Sequence, residues 1–384
     1  MERKRKILVL IDWYLPGFRA GGPIQSCSNI VDHLKNDFDF SIATSDTDLG
    51  GISPYPAILS DNWNTLPNGD RVYYFSKKSL NFQEIKMLLL RESFDTIYLN
   101  SLFSKYFTIY PLLILKNNKP GRRIIVAPRG MLGPGALNIK PLKKVLFLAF
   151  SKLFGLYKNV LWHASTEMEC KEIKNVFGNN AEVVTALNLP SIRTINRVKR
   201  IKEIGKFNLI FLSRISLKKN LHSAIQFLRS LNKSMEVIFD IYGSKEDALY
   251  WDICESEIRK TSSNIKVSYK GIVDHSHIQE VFKKYHFFIL PTSHENYGHS
   301  IVESLSAGCP VIISDQTPWR NLESKKAGWD ISLSHKEKFV EALNQAARMQ
   351  QSEFDEWSEN AYDFAGSILY NENVIEQNRQ LFLK

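Results

Sequence analysis

Short apolar runs alternate with amphipathic stretches along most of the chain, and the series occurs twice. In the first, Ile7–Ile11, Phe38–Ala43, Ile97–Leu99, Ile124–Ala127 and Val160–His163 read as strands. Helical patterns fall over Ile24–Leu34 and at about 104–117, 139–157 and 166–177. In the second, the strands are Leu209–Leu212, Val237–Tyr242, Ile265–Tyr269, Phe287–Leu290 and Val311–Ile313. Near-continuous apolar runs suit strands buried on both faces, so the pattern predicts an α/β protein with mainly parallel sheets covered by helices. Two series predict two Rossmann-like domains. Leu187-Asn-Leu-Pro190 leads into the polar, basic stretch Ser191–Lys206, which lacks a buried period and reads as the linker. The expected division is 1–190, 191–365 and a final helix over 366–384.

One strand, loop, helix, strand unit carries unusual chemistry. Phe287–Leu290 precedes Ser293-His-Glu295-Asn-Tyr-Gly298-His299-Ser300, and Gly308 with Pro310 ends the helix before Val311–Ile313. Glu295 falls in the loop at the strand's C-terminal end, where open α/β sheets bind ligands, and Glu303 falls in the early turns of the helix. The backbone N–H groups of Gly298, His299 and Ser300 at the helix start suit a phosphate. Two acceptors for sugar hydroxyls beside an anion cradle describe a pocket for a nucleotide-sugar.

Glu295-x7-Glu303 followed by Ala307-Gly308-Cys309-Pro310-Val311-Ile312, with Pro291-Thr292 before it, resembles the donor-site signature of the retaining glycosyltransferases of family 4. The resemblance implies the GT-B fold, two Rossmann-like domains with parallel sheets facing across a cleft, and a final helix that crosses back to the N-terminal domain. It implies that Glu295 holds donor-sugar hydroxyls, that Glu303 holds the ribose, and that no enzymic nucleophile is needed. Arg214 and Lys219, in Arg214-Ile-Ser-Leu-Lys218-Lys219-Asn220, match the family's Arg-x4-Lys-Gly pattern with Asn220 in place of glycine. Fixed cations after a strand can neutralise the charge on a departing nucleoside diphosphate. Gly21-Gly22-Pro23 resembles the N-terminal glycine loop that approaches the donor diphosphate. Glycine allows close backbone approach there, and a helix start adds partial positive charge.

On the acceptor side, Asn100 and Arg129 follow the strands Ile97–Leu99 and Ile124–Ala127. Arg129 is expected to point into the cleft, near a position where related enzymes carry a histidine that this chain lacks. Asp37-Phe-Asp39 and Asp46-Thr-Asp48 raise the rival of a metal-dependent, single-sheet GT-A transferase. That rival leaves the second strand series and the Glu295, Glu303 pair without a role, so neither metal nor cofactor is expected.

A net charge of +10 and a pI near 9.2 point to an anionic partner, which a nucleotide, a nucleic acid or a lipid surface would satisfy. No interleaved aromatic platform supports nucleic-acid binding. Cys27, Cys170, Cys254 and Cys309 show no zinc or disulfide spacing and read as reduced thiols of a cytoplasmic protein. The first apolar run stops at Asp12, too short for a signal peptide, and no stretch approaches the roughly 20 apolar residues of a membrane span. From Thr96 to Thr166 there is no acidic residue against eleven Lys and Arg. Within it, Pro141–Tyr157 is apolar and studded with lysines. It reads either as a core-facing helix or as one lying on an anionic bilayer.

The function expected is therefore retaining transfer of a sugar from a nucleotide-sugar donor to a glycan acceptor, lipid-linked, in bacterial surface polysaccharide synthesis. A nucleotide-sugar epimerase of the same architecture and a basic nucleic-acid-binding protein are the alternatives.

Overall fold

The structure is a computed structural model that describes residues 3–117, 121–137, 141–191, 198–274, 277–369 and 371–383. The chain forms two compact units, Met1–Ile192 with Glu372–Lys384, and Arg193–Asn371.

The first unit is built on an eight-stranded sheet. Its strands are β1 Lys6–Leu10, β2 Asp39–Ser45, β3 Asn62–Thr65, β4 Arg71–Phe75, β5 Thr96–Leu99, β6 Arg123–Val126, β7 Leu161–Ala164 and β8 Val183–Thr185, in spatial order β3-β4-β2-β1-β5-β6-β7-β8. Every pairing is parallel except β3 with β4. Strand β1 shows why the run is apolar throughout. Leu8 and Leu10 enter the core on one face of the sheet, and Ile7 and Val9 enter the core on the other. Asn-Trp-Asn-Thr in β3 carries no such signal. It is held by its partner β4, where Arg71 lies 3.9 Å over the Trp63 ring.

The second unit has a six-stranded, all-parallel sheet. Its strands are β9 Lys206–Leu212, β10 Glu236–Tyr242, β11 Ile265–Gly271, β12 Phe287–Leu290, β13 Val311–Ser314 and β14 Gly328–Ile331, in the order β11-β10-β9-β12-β13-β14. This is the doubly wound 3-2-1-4-5-6 order, which reverses between β9 and β12. In the first unit the corresponding reversal lies between β1 and β5. Loops leaving the C-terminal ends of those four strands therefore occupy the switch points.

The expected linker is only partly a free connection. Of Ser191–Lys206, residues 192–197 lie outside the described ones, but Arg200 and Lys202 are buried in the second unit. Arg200 donates to the carbonyls of Tyr285 at 3.0 Å and Ala307 at 3.2 Å and to that of Gly308, and Lys202 to that of Ala347 at 3.0 Å. Burial depresses the Lys202 ammonium to about 8. A stretch without periodicity is thus fixed by cations satisfying the exposed carbonyls of element ends.

The segment after residue 350 forms two helices. Gln351–Leu369 packs Phe354, Trp357, Ala361 and Ala365 into the second unit, with Trp357 stacked 4.3 Å from Trp329. Glu372–Leu383 belongs to the first unit. Its Phe382 meets Phe38, Phe40 and Tyr98 at ring distances of 5.6, 5.7 and 5.3 Å, and Arg379 pairs with Asp37 at 3.0 Å. Among the described residues, no helix is long and apolar enough to cross a membrane.

Candidate functional site

In the second unit the loops after β9 and β12 meet at the switch point and are stitched together by the chain itself. Ser293 N–H and Oγ and Thr292 Oγ1 all donate to the Lys218 carbonyl, at 2.8, 3.1 and 3.1 Å. The Asn220 amide donates to the Pro291 carbonyl at 2.9 Å, and Glu295 N–H to Gln316 O, after β13, at 2.8 Å. Asn220 adopts φ 59°, ψ 38°, the left-handed region that asparagine enters more readily than most residues, so it can stand where the related pattern has glycine.

These ties bring Lys219 and Glu295 together as a largely buried ion pair. Burial opposes ionisation of Glu295, but Lys219, Lys218 and Arg214 outweigh it and hold the carboxyl below its ordinary value. Gly298, at φ 79°, begins the His299–Ser306 helix. A Cβ there would lie 2.7 Å from Ile301 Cδ1 and 3.1 Å from Glu295 Cγ, so the loop carrying Glu295 packs directly on the helix start. Intrahelical bonding begins with Ile301 and Val302 donating to Gly298 O. The N–H groups of Gly298, His299 and Ser300 precede that ladder, a position at a helix start that suits an anion. At the opposite end, Arg200 takes the Ala307 and Gly308 carbonyls. That contact joins residues too far apart in sequence for local pattern to reveal it.

Glu303 lies on the same helix, and burial pushes its carboxyl up to about 7. Beside it is buried Tyr297, whose hydroxyl has no hydrogen-bond partner among the described residues and whose ring lies 4.8 Å from His299 and 5.3 Å from Trp319. The two carboxylates thus differ in state: one is held ionised, while the other titrates near neutrality.

Arg214 is less buried than Lys219 and pairs with Glu246 of the loop after β10, at 2.7 Å. The sequence reading did not include Glu246, because an acid in a polar loop carries no distinguishing signal. That loop approaches the one after β9 so closely that a Cβ on Gly243, at φ 143°, would stand 1.8 Å from Ser213 O.

In the first unit Gly21, at φ 66°, accepts from Ile24 N–H at 3.0 Å and caps the Gly22–Leu34 helix. Asp48 secures the approach to it by accepting from Phe18 and Arg19 N–H at 3.0 and 3.2 Å, while Asp46 accepts from Ser60 at 2.7 Å. The Asp46-Thr-Asp48 carboxylates are thus engaged in loop geometry. Among the described residues, no group of three or more His, Cys, Asp or Glu side chains is placed to hold a metal ion. Asp12, directly after β1, accepts from Ser104 Oγ at 2.6 Å and is a further switch-point residue that the strand pattern did not single out.

The Arg129 guanidinium is held in a network of the first unit, donating to Asn100 Oδ1 at 2.8 and 3.1 Å, to Asn188 Oδ1 at 2.5 Å and to Tyr98 Oη at 2.7 Å. Tyr98 in turn meets His163 Nδ1 at 2.6 Å, and burial lowers His163 to about 3. Arg129 is left-handed at φ 55° and Gly130 follows at φ 73°, so the chain reverses as it leaves the sheet. Asn100 and Arg129 act as one assembly, with Asn100 positioned by Arg129.

Residues 192–364 match the family described as glycosyl transferases group 1. The chain is 27% identical over 161 residues to the GtfA subunit of a UDP-N-acetylglucosamine–peptide N-acetylglucosaminyltransferase from Streptococcus agalactiae, covering 41% of this chain and 30% of that one. It is 30% identical over 163 residues to a poly(glycerol-phosphate) alpha-glucosyltransferase from Bacillus subtilis, covering 42% and 23%. It therefore spans less than a third of the length of either curated relative. Over nearly the whole chain, 98%, and 99% of its counterpart, the structure resembles Anabaena Alr3699/HepE in complex with UDP-glucose, with a TM-score of 0.72 at 14% identity. Residues 192–364 thus resemble the glycosyl transferases group 1 family, and the chain's two parallel-sheet α/β domains have the GT-B fold.

Proposed function

We propose that the protein is a retaining glycosyltransferase of family 4 type that moves a sugar from a nucleotide-sugar to a glycan acceptor. The observation that carries this reading is the Lys219–Glu295 pair packed against the helix start at Gly298, with Glu303 on the same helix. Glu295, kept ionised, accepts from donor-sugar hydroxyls and aligns the anomeric carbon. The first-turn N–H groups of the helix take the diphosphate, and Lys219 and Arg214 neutralise the charge that grows on it as the glycosidic bond breaks. The acceptor hydroxyl attacks on the face from which the diphosphate departs, and its proton passes to the leaving phosphate oxygen. Glu303 accepts from the ribose hydroxyls, and the Tyr297 hydroxyl is a second polar group close by.

Relatives named for transfer to peptide and to poly(glycerol-phosphate) support a polymeric acceptor. We assign a lipid-linked glycan of bacterial surface polysaccharide synthesis, handled in the cytoplasm at the inner face of the membrane. The test is incubation of the purified chain with a panel of nucleotide-sugars. Slow release of nucleoside diphosphate from one of them is expected. Conversion to an epimeric nucleotide-sugar without release would instead establish an epimerase.

A further inference from the structure

The acid-free stretch leaves an unusual surface on the first unit. The Pro141–Leu153 helix buries little beyond Leu148 and Ser151, with Phe147 packed 5.5 Å from Phe103. Its wider apolar side faces outward: Leu142 is 78% exposed, Val145 62%, Leu146 57%, Phe150 57% and Leu153 77%. Phe154 continues the surface, stacked 6.3 Å from Phe150. At about 3.6 residues per turn these side chains share one arc, and Lys143 and Lys152 stand at its two borders. Lys144 does not join them. Its ammonium donates to Ala136 O at 2.5 Å and lies 5.4 Å from the Phe103 ring.

A core-facing helix would bury the apolar arc and send the lysines to water. Here the arc is exposed between bordering lysines, in a stretch, Thr96–Thr166, that has no acidic residue to repel an anionic surface. Contiguous exposed apolar area of this kind marks an interaction site, and the charge at its borders selects the partner. We propose that the Pro141–Phe154 surface seats the first unit on an anionic lipid bilayer. The helix lies in the headgroup plane, with Leu142, Leu146, Phe150 and Leu153 among the acyl chains and Lys143 and Lys152 at the phosphates. The proposal rests on the lipid-linked acceptor only for its purpose, since docking would hold the enzyme beside substrates confined to the membrane.

Flotation of the full chain with phosphatidylglycerol vesicles tests it, with phosphatidylcholine vesicles as the comparison and donor hydrolysis in solution measured on the same samples. Binding to phosphatidylglycerol that weakens with added salt is expected, since salt screens the lysines. Replacing Lys143 and Lys152 by Gln should lower that binding about 30-fold, in line with two fewer surface cations. Leu146→Asp with Phe150→Asp should abolish it while donor hydrolysis continues. No binding by the parent at low salt would overturn the proposal, as would equal binding by the Leu146, Phe150 variant. Concentration-dependent self-association removed by that variant would also overturn it, identifying the surface as an interface between copies of the chain. Hydrolysis without vesicle binding would leave the glycosyltransferase reading intact, and vesicle binding without hydrolysis would leave the docking surface intact.

Discussion

Glu295 and Glu303 are chemically identical carboxylates on the same loop and helix, and their surroundings give them different work. Lys219 keeps the first ionised, whereas burial raises the second to about 7. In the role proposed for Glu303, ribose hydroxyls donate to its carboxylate, so the ionised form would be the binding form. Affinity for the nucleotide-sugar should therefore rise as pH increases through about 7 and level off above it. Calorimetric titration across that range checks this, and Glu303→Gln should flatten the profile. Folding obeys the same linkage. Because the folded pKa is raised, the carboxyl's contribution is fully present below the ordinary carboxylate value and is lost as pH climbs to about 7. The melting temperature of Glu303→Gln should gain on the parent across that interval and hold its gain above it.

The loops at the sheet switch points bring these side chains together, and two glycines set how closely the loops approach. Gly243→Ala places a carbon against the Ser213 carbonyl, which cannot yield without moving β9, so a loss of about 4 kcal/mol or more is expected in denaturant titration. Gly298→Ala meets the flexible end of Ile301 and the Glu295 stem, so it should cost about 1–2 kcal/mol and reduce activity by more than that loss of stability explains. At this scale the sequence was informative where burial is two-sided. Ile7–Ile11 and Phe287–Leu290 announce themselves because both faces of each strand are apolar, whereas Asn62–Thr65 and Gly328–Ile331 are strands only through their neighbours. The Glu295, Glu303 spacing is local and was readable. Glu246 beside Arg214, Arg200 beneath the helix and the network around Arg129 depend on partners remote in sequence or on left-handed backbone, neither of which leaves a periodic trace.

At the level of the whole molecule, the last helix completes the first unit after the chain has built the second. Phe382 fills the space between Phe38, Phe40 and Tyr98, so Phe382→Ala should cost about 3–5 kcal/mol, read as an earlier unfolding transition. Lys219 and Arg214 supply the positive charge assigned to the leaving diphosphate, so turnover should persist in EDTA. Loss in chelator with rescue by magnesium or manganese would transfer that role to a metal. The most direct measurement is the rate of nucleoside diphosphate release from the accepted nucleotide-sugar by the parent and by Glu295→Gln. With a charge-assisted hydrogen bond to the sugar removed, the rate should fall about 10-fold to 100-fold while the far-ultraviolet dichroism spectrum stays that of the parent. The melting temperature should drop, because Gln leaves the buried Lys219 without its counter-charge. Equal rates in the two proteins at saturating and limiting donor would contradict the account.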